Sequence, residues 1–315
     1  MNSLSRGSAA AAAAAMFLVG TLAAISSVID GYPLYGGQAL RYSLAAVILL
    51  AVARARGLGL VRLTMREALM LLALAATGLV LFNVCVIEAT RHASPTLVGT
   101  IVGAVPVVLA LAGPLLARSR PSIRVVIGAF VVVVGATVTT GLGGGSLTGL
   151  AYSLGALACE ACFSLLAIPL LPKLGPIRVS TYTVVVAVPL LLLVGIGADG
   201  SGVLRMPTPA EATALIYLGT IISAGAFLLW YGALPRLGPD RAGLFAGVVP
   251  IGAIVTTVLL GLGAPTATEL GGVTLVIAGL VVGLAPRSPR TSGPLQPVGN
   301  QVMDRVGAGH QVDRP

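Results

Sequence analysis

Charged side chains are scarce in this sequence. Asp, Glu, Lys and Arg together make up 9% of its 315 residues, against about 25% in a water-soluble globular domain. A chain this poor in charge cannot clothe a surface in water, which excludes the soluble fold classes. Histidine is scarcer still: there are two, and only His92 lies near an apolar run, too few for haem or a zinc site of the usual type. The three cysteines, Cys85, Cys159 and Cys162, all fall in apolar segments. Cys159 and Cys162 have C-x-x-C spacing but lack the solvent access and further ligands of a redox or zinc site, so they read as small buried hydrophobes. No H-E-x-x-H, P-loop or Asp-rich diphosphate motif occurs, and no soluble stretch could hydrolyse ATP. The expectation is a protein without catalytic residues, metal or cofactor, whose energy, if coupled, comes from a gradient.

What the chain does have is apolar length. Hydrophobic residues make up 57% and the mean hydropathy is +1.01. Apolar runs repeatedly exceed the roughly 18 residues a bilayer requires of a helix. They predict an all-α polytopic membrane protein with ten spans, near 8–29, 34–54, 68–89, 95–117, 123–141, 148–170, 177–198, 211–233, 239–262 and 267–285. The first resembles a signal peptide, but its apolar run of about 20 residues exceeds the usual h-region. The tail 286–315, rich in Pro, Gly, Arg, Gln and Asp, reads as disordered and cytoplasmic. His310 within it has no role.

The formal charge of +9 does not point to nucleic acid, because the arginines sit in short gaps between apolar runs. With the N-terminus inside, the inner segments carry 16 of the 19 Lys and Arg residues and the outer ones only Arg91 and Arg205. The positive-inside rule then places both termini in the cytoplasm and the protein in the cytoplasmic membrane.

One pattern occurs twice. Pro95, Gly99, Gly103 and Pro106 spell P-x3-G-x3-G-x2-P, and Pro239, Gly243, Gly247 and Pro250 repeat it 144 residues later. Gly128 and Gly272, and Gly135 and Gly279, match at the same shift. This is an internal repeat, with halves 1–141 and 148–285. Five spans is an odd number, so the second half must enter the membrane the other way up, as an inverted repeat with a pseudo-two-fold axis in the membrane plane.

On a helix the repeated positions share one face without side-chain bulk. Gly99/Gly103 and Gly243/Gly247 are G-x-x-x-G pairs that let helix backbones approach closely. Pro106 and Pro250, near mid-span, each remove a hydrogen bond and free the carbonyls of Val102 and Ala246. They are candidates for functional kinks or for packing alone.

Glu160 is the sharpest single residue. It lies near the centre of the sixth span, where a carboxylate costs several kcal/mol unless neutralised or hydrated. Ser153, Ala156, Glu160 and Ser164 share a face expected to point inward. A proton-coupling group or an anchor for a cationic substrate fits, as does a neutral carboxyl bonded to a neighbouring helix. Arg41, about two turns into the second span, either snorkels to the headgroups or pairs with a carboxylate. Glu88 is a candidate partner, although Arg91 three residues on competes for it. Asn83, Trp230 and Tyr231, on the equivalent third and eighth spans, line the cavity or, for the aromatics, anchor at the interface.

These features resemble the EamA branch of the drug/metabolite transporter superfamily. The resemblance covers about residues 8–285. It is carried by Leu40-Arg41-Tyr42, by Ala89 through Ala93-Ser94-Pro95 to Val105-Pro106, and by Ala233 through Leu237-Gly238-Pro239 to Val249-Pro250. It implies ten helices in two five-helix repeats, a central cavity lined by helices 4 and 9 and their neighbours, and Arg41 in the place of the family's span-2 arginine. Glu160 is not part of that pattern. Members are usually secondary carriers that export amino acids, metabolites or drugs, and some import. The expected function is proton-coupled export of a small organic solute (an amino acid, metabolite or drug) across the cytoplasmic membrane by alternating access; uptake by the same fold and, from another class, a lipid-modifying membrane enzyme are the alternatives. The expected partners are the solute, protons and lipid; the oligomeric state is open.

Overall fold

In a bilayer the backbone of an open chain can satisfy its N–H and C=O groups only as helix. The computed structural model follows that constraint. It describes residues 3–285 except 27, 28, 30, 142, 262 and 263, and among them forms no strand beyond one isolated bridge between Ala93 and Gly145. The tail expected over 286–315 lies outside the described residues.

The helical segments are α1 (Ser3–Ser26), α2 (Leu34–Ala55), α3 (Met65–His92), α4 (Pro95–Val102 continued by Val105–Leu116), α5 (Ile123–Thr140), α6 (Leu147–Leu165), α7 (Leu171–Asp199), α8 (Pro209–Leu237), α9 (Pro239–Leu259) and α10 (Ala267–Leu284). Nine of them, α2 to α10, are long and apolar enough to cross a membrane. The apolar part of α1, Arg6–Leu22, is shorter than that measure requires.

Local sequence sets several helix starts. Thr64 and Glu67 form a capping box at α3, and Thr208 and Glu211 form its counterpart at α8, 144 residues on. In each box the threonine hydroxyl accepts from the glutamate N–H and the carboxylate accepts from the threonine N–H. A cation then binds each glutamate, Lys173 at Glu67 and Arg205 at Glu211. Both helices also widen into π-helix at matching places, Ala76–Leu81 in α3 and Leu218–Ala226 in α8. Within α7, Gly175 adopts φ 71°, a left-handed conformation open to glycine, and sets the four residues before it apart from the long helix.

The outer surface is apolar. On α5, Ile123, Ile127, Phe130, Val134 and Val138 are exposed at helical spacing, while Val125, Gly128, Ala129, Val132 and Gly135 are buried. This inverts the water-soluble pattern and suits a lipid-facing helix.

The helices pair in a way that survives exchange of the halves. α5 packs on α10, α2 on α7 and α4 on α9; α1 packs on α8 and α9, and α6 correspondingly on α3 and α4. The α5–α10 crossing is lined by glycine on both helices. A methyl added to Gly128 would lie 2.6 Å from the Cα of Gly283, one on Gly135 2.7 Å from the carbonyl oxygen of Gly272, and one on Gly279 2.7 Å from the nitrogen of Val132. Rising numbers on α5 meet falling numbers on α10, so the two run antiparallel. The contacts are also interchangeable: Gly128 meets Gly283, while Thr139 and Gly272, their counterparts under the 144-residue shift, meet each other.

Candidate functional site

α4 and α9 break where their central prolines stand. α4 interrupts after Val102 and restarts at Val105, with Pro106 in its new first turn. α9 passes through a 3-10 stretch, Phe245–Val248, before restarting at Val249 with Pro250 in the first turn. Lacking an N–H, proline fits a helix start, and the Gly103 and Ala104 N–H groups close tight bonds to Gly99 and Ile101. The expected discontinuity is therefore present in both copies.

The glycine faces behind these breaks are used unequally. On α9, a methyl added to Gly243 would sit 2.9 Å from the Cβ of Leu109 on α4, and one on Gly247 would sit 2.4 Å from a methyl of Val132 on α5. On α4, nothing lies within 4 Å of a methyl at Gly99, and at Gly103 only the helix's own backbone does. Under the repeat, the counterpart of Gly243 on Leu109 is Gly99 on Ala253. Those two residues instead line a cavity of about 360 Å³, together with Thr139, Thr140, Pro250 and Thr257. At the other end, Gly113 packs on Pro239, 2.7 Å from its side chain by the same measure.

The interior between α2, α6 and α8 holds several buried polar groups, Gln38, Arg41, Ser153, Ser164 and Ser223 among them. The Arg41 guanidinium is buried, donates from Nε to Ser223 Oγ at 3.0 Å, and lies 4.7 Å from the centre of the Tyr42 ring. α8 comes close to α2 at this level because Gly219 lies against the Arg41 carbonyl. The Tyr42 ring begins an aromatic series that continues through Phe227 at 6.4 Å, then Phe163 and Tyr231 at 5.2 and 6.2 Å from Phe227. Phe163 lies over Gly78, in the π-helical stretch of α3. Glu160, one turn before Phe163, is half-buried, is within electrostatic reach of Tyr231, and has no hydrogen-bond or ion-pair partner among the described residues. Ser153, Ala156 and Ser164 on its face are buried, as their spacing predicts.

The remaining candidates separate from this group. Glu88 is bound by Arg91 at 2.7 Å and lies in a second cavity with Tyr35 and Asp199, away from Arg41. Asn83 donates its side-chain amide to the Leu79 carbonyl at 2.6 Å, satisfying backbone in the π-helical stretch. Trp230 and Tyr231 are enclosed in the core, so neither sits at the interface. Ser223, Phe163, Phe227 and Leu109 carry no sequence signal of their own; only the α8 spacing of Ser223, Phe227 and Tyr231 hinted that they share a face.

Nine apolar helices among the described residues, a repeated broken helix pair and a polar interior define a multi-pass membrane protein of transporter type. The chain belongs to the EamA-like transporter family, which it matches over residues 5–141 and 147–284. It is 25% identical over 251 residues, 77% of this chain and 76% of the other, to the uncharacterized transporter YetK of Bacillus subtilis (strain 168). A protein of known crystal structure, 22% identical, has the same fold, with a TM-score of 0.77 over 88% of this chain and 96% of that one. These likenesses point to a transporter rather than an enzyme.

Proposed function

We propose that the protein is a secondary transporter that moves a small organic solute across the cytoplasmic membrane by alternating access, exporting it against protons. The unequal use of the two glycine faces carries the reading. The repeat supplies two equivalent closing contacts, Gly243 on Leu109 and Gly99 on Ala253, and one is made while the other stands open on a cavity. Exchange of the two would open the molecule at its opposite end.

The antiparallel, interchangeable α5–α10 contacts support ten spans arranged as two inverted five-helix repeats, 1–141 and 148–285. The closed end lies beside Arg118, Arg120, Arg236 and Arg241, which the positive-inside rule assigns to the cytoplasm. Both termini are then cytoplasmic and the cavity faces outward. Glu160, in mid-span and without a partner, is the group proposed to carry the proton, since protonation is the least costly way to neutralise it there.

The test is reconstitution in vesicles that enclose a pH dye, challenged with amino acids, nucleobases, organic acids and cationic drugs. Solute movement with an opposing proton flux, reduced to uncoupled movement in Glu160→Gln, is expected. Unchanged proton movement in Glu160→Gln overturns the coupling role, and solute moving with protons in the same direction overturns export.

A further inference from the structure

We infer that Arg41 anchors the carboxylate of the transported solute, so that the substrate class is small organic acids with an apolar body. The inference rests on the transporter reading and adds a substrate class to it.

A guanidinium carries five N–H donors and no acceptor. At Arg41 only Nε has a protein partner, the hydroxyl of Ser223. The other four donors find no acceptor among the described residues, and no carboxylate lies within ion-pair distance. Glu88 is held by Arg91 instead, and Glu160, in the same interior, makes no ion pair with Arg41. A buried cation without a counter-charge is strongly unfavourable, and inside a membrane such groups mark ion or substrate pathways.

Two donors on α8 are unpartnered as well. The indole nitrogen of Trp230 can only donate, and it is enclosed with no partner. The Tyr231 hydroxyl is likewise enclosed and unpartnered; the amide oxygen of Gln38, one turn before Arg41 on the same helix, is unpartnered too, but as an acceptor. The Arg41 fork and the Trp230 indole can only donate, the Tyr231 hydroxyl can donate as well as accept, and all three lie on α2 and α8, which pack together. An anion supplies acceptors where an organic cation would add more donors. A carboxylate matches the guanidinium fork in two parallel bonds, and the mutually packed rings of Tyr42, Phe227, Phe163 and Tyr231 make the adjoining core apolar. The π-helical stretch Leu218–Ala226 brings Ser223 to Arg41, and such distortions recur at functional sites.

The experiment measures thermal unfolding of the purified full-length protein in detergent with benzoate, phenylacetate, benzamide and benzylamine at matched ionic strength. The two carboxylates are expected to raise the midpoint in a saturable way, and the amide and the amine to leave it unchanged. Arg41→Gln should weaken the carboxylate response at least tenfold, with Arg41→Lys retaining part of it. If Arg41→Gln does not fold, Arg41→Lys and Tyr231→Phe decide, each expected to lower carboxylate affinity. Stabilisation by benzylamine but not by the acids, or a carboxylate response unchanged in the Arg41 variants, overturns the inference. Arg41-dependent binding without transport in vesicles would instead remove the transporter reading and leave the anion site standing.

Discussion

Gly243 on α9 packs directly against Leu109 on α4, while Gly99, its counterpart on α4, stands apart from Ala253 across an open cavity. One sequence pattern thus serves two states of packing in one molecule. The difference lets the two glycines be tested against each other.

Gly243→Ala places a methyl 2.9 Å from Leu109 Cβ. Overpacking of this kind costs roughly 1–3 kcal/mol, so the thermal midpoint in detergent should fall. Gly99→Ala meets nothing within 4 Å and should leave that midpoint unchanged. It should still slow transport, because the same face must close on Ala253 in the opposite state. A Gly99→Ala protein with full transport rates would show that this face never closes.

Paired cysteines read the exchange directly. In a background lacking Cys85, Cys159 and Cys162, the pair Leu109→Cys and Gly243→Cys should cross-link readily at rest and arrest transport. The pair Gly99→Cys and Ala253→Cys should cross-link only as the protein turns over, with its rate raised by solute. Mobility on non-reducing gels and transport before and after reduction give both answers.

The α5–α10 crossing should be unforgiving. Any side chain at Gly128 or Gly279 enters the partner's backbone, where no rotamer relieves it. Gly128→Leu is expected to cost about 3 kcal/mol or more and to abolish the monodisperse peak on size-exclusion chromatography. Phe130→Leu, two residues on but facing outward, should change stability by no more than about 0.5 kcal/mol.

Pro106 and Pro250 begin the second halves of broken helices. Replacing either by Ala restores an N–H donor and favours continuous helix. Each single variant should fold and retain reduced transport, and the double variant should fold while losing most of it. Full transport by the double variant would leave the prolines a packing role only.

Much of the scaffold was legible because its signals are local. Apolar run length marks helices, whereas the Thr-x-x-Glu boxes that start α3 and α8 came to light only in the structure. The repeated glycine–proline pattern marks the two breaks. The site was less legible because charge pairing depends on neighbours distant in sequence. Arg41 and Glu88 lie at matching depth, yet Arg91 binds Glu88 from three residues away and Ser223, 182 residues from Arg41, receives its Nε. Trp230 and Tyr231 fit an interfacial belt by composition; helix packing encloses them instead.

The sequence by itself determined a membrane protein of long apolar helices in two related halves, because hydropathy, proline and glycine act through the bilayer and the local backbone. It also determined that the repeated faces would be smooth. Only the tertiary structure decided which smooth face is filled and which is open, and where a buried guanidinium finds its neighbours. Two copies of one pattern have the same local preferences. The choice between them arises from packing among α4, α5, α9 and α10, which joins elements far apart in sequence and fills one face while leaving the other open on a cavity.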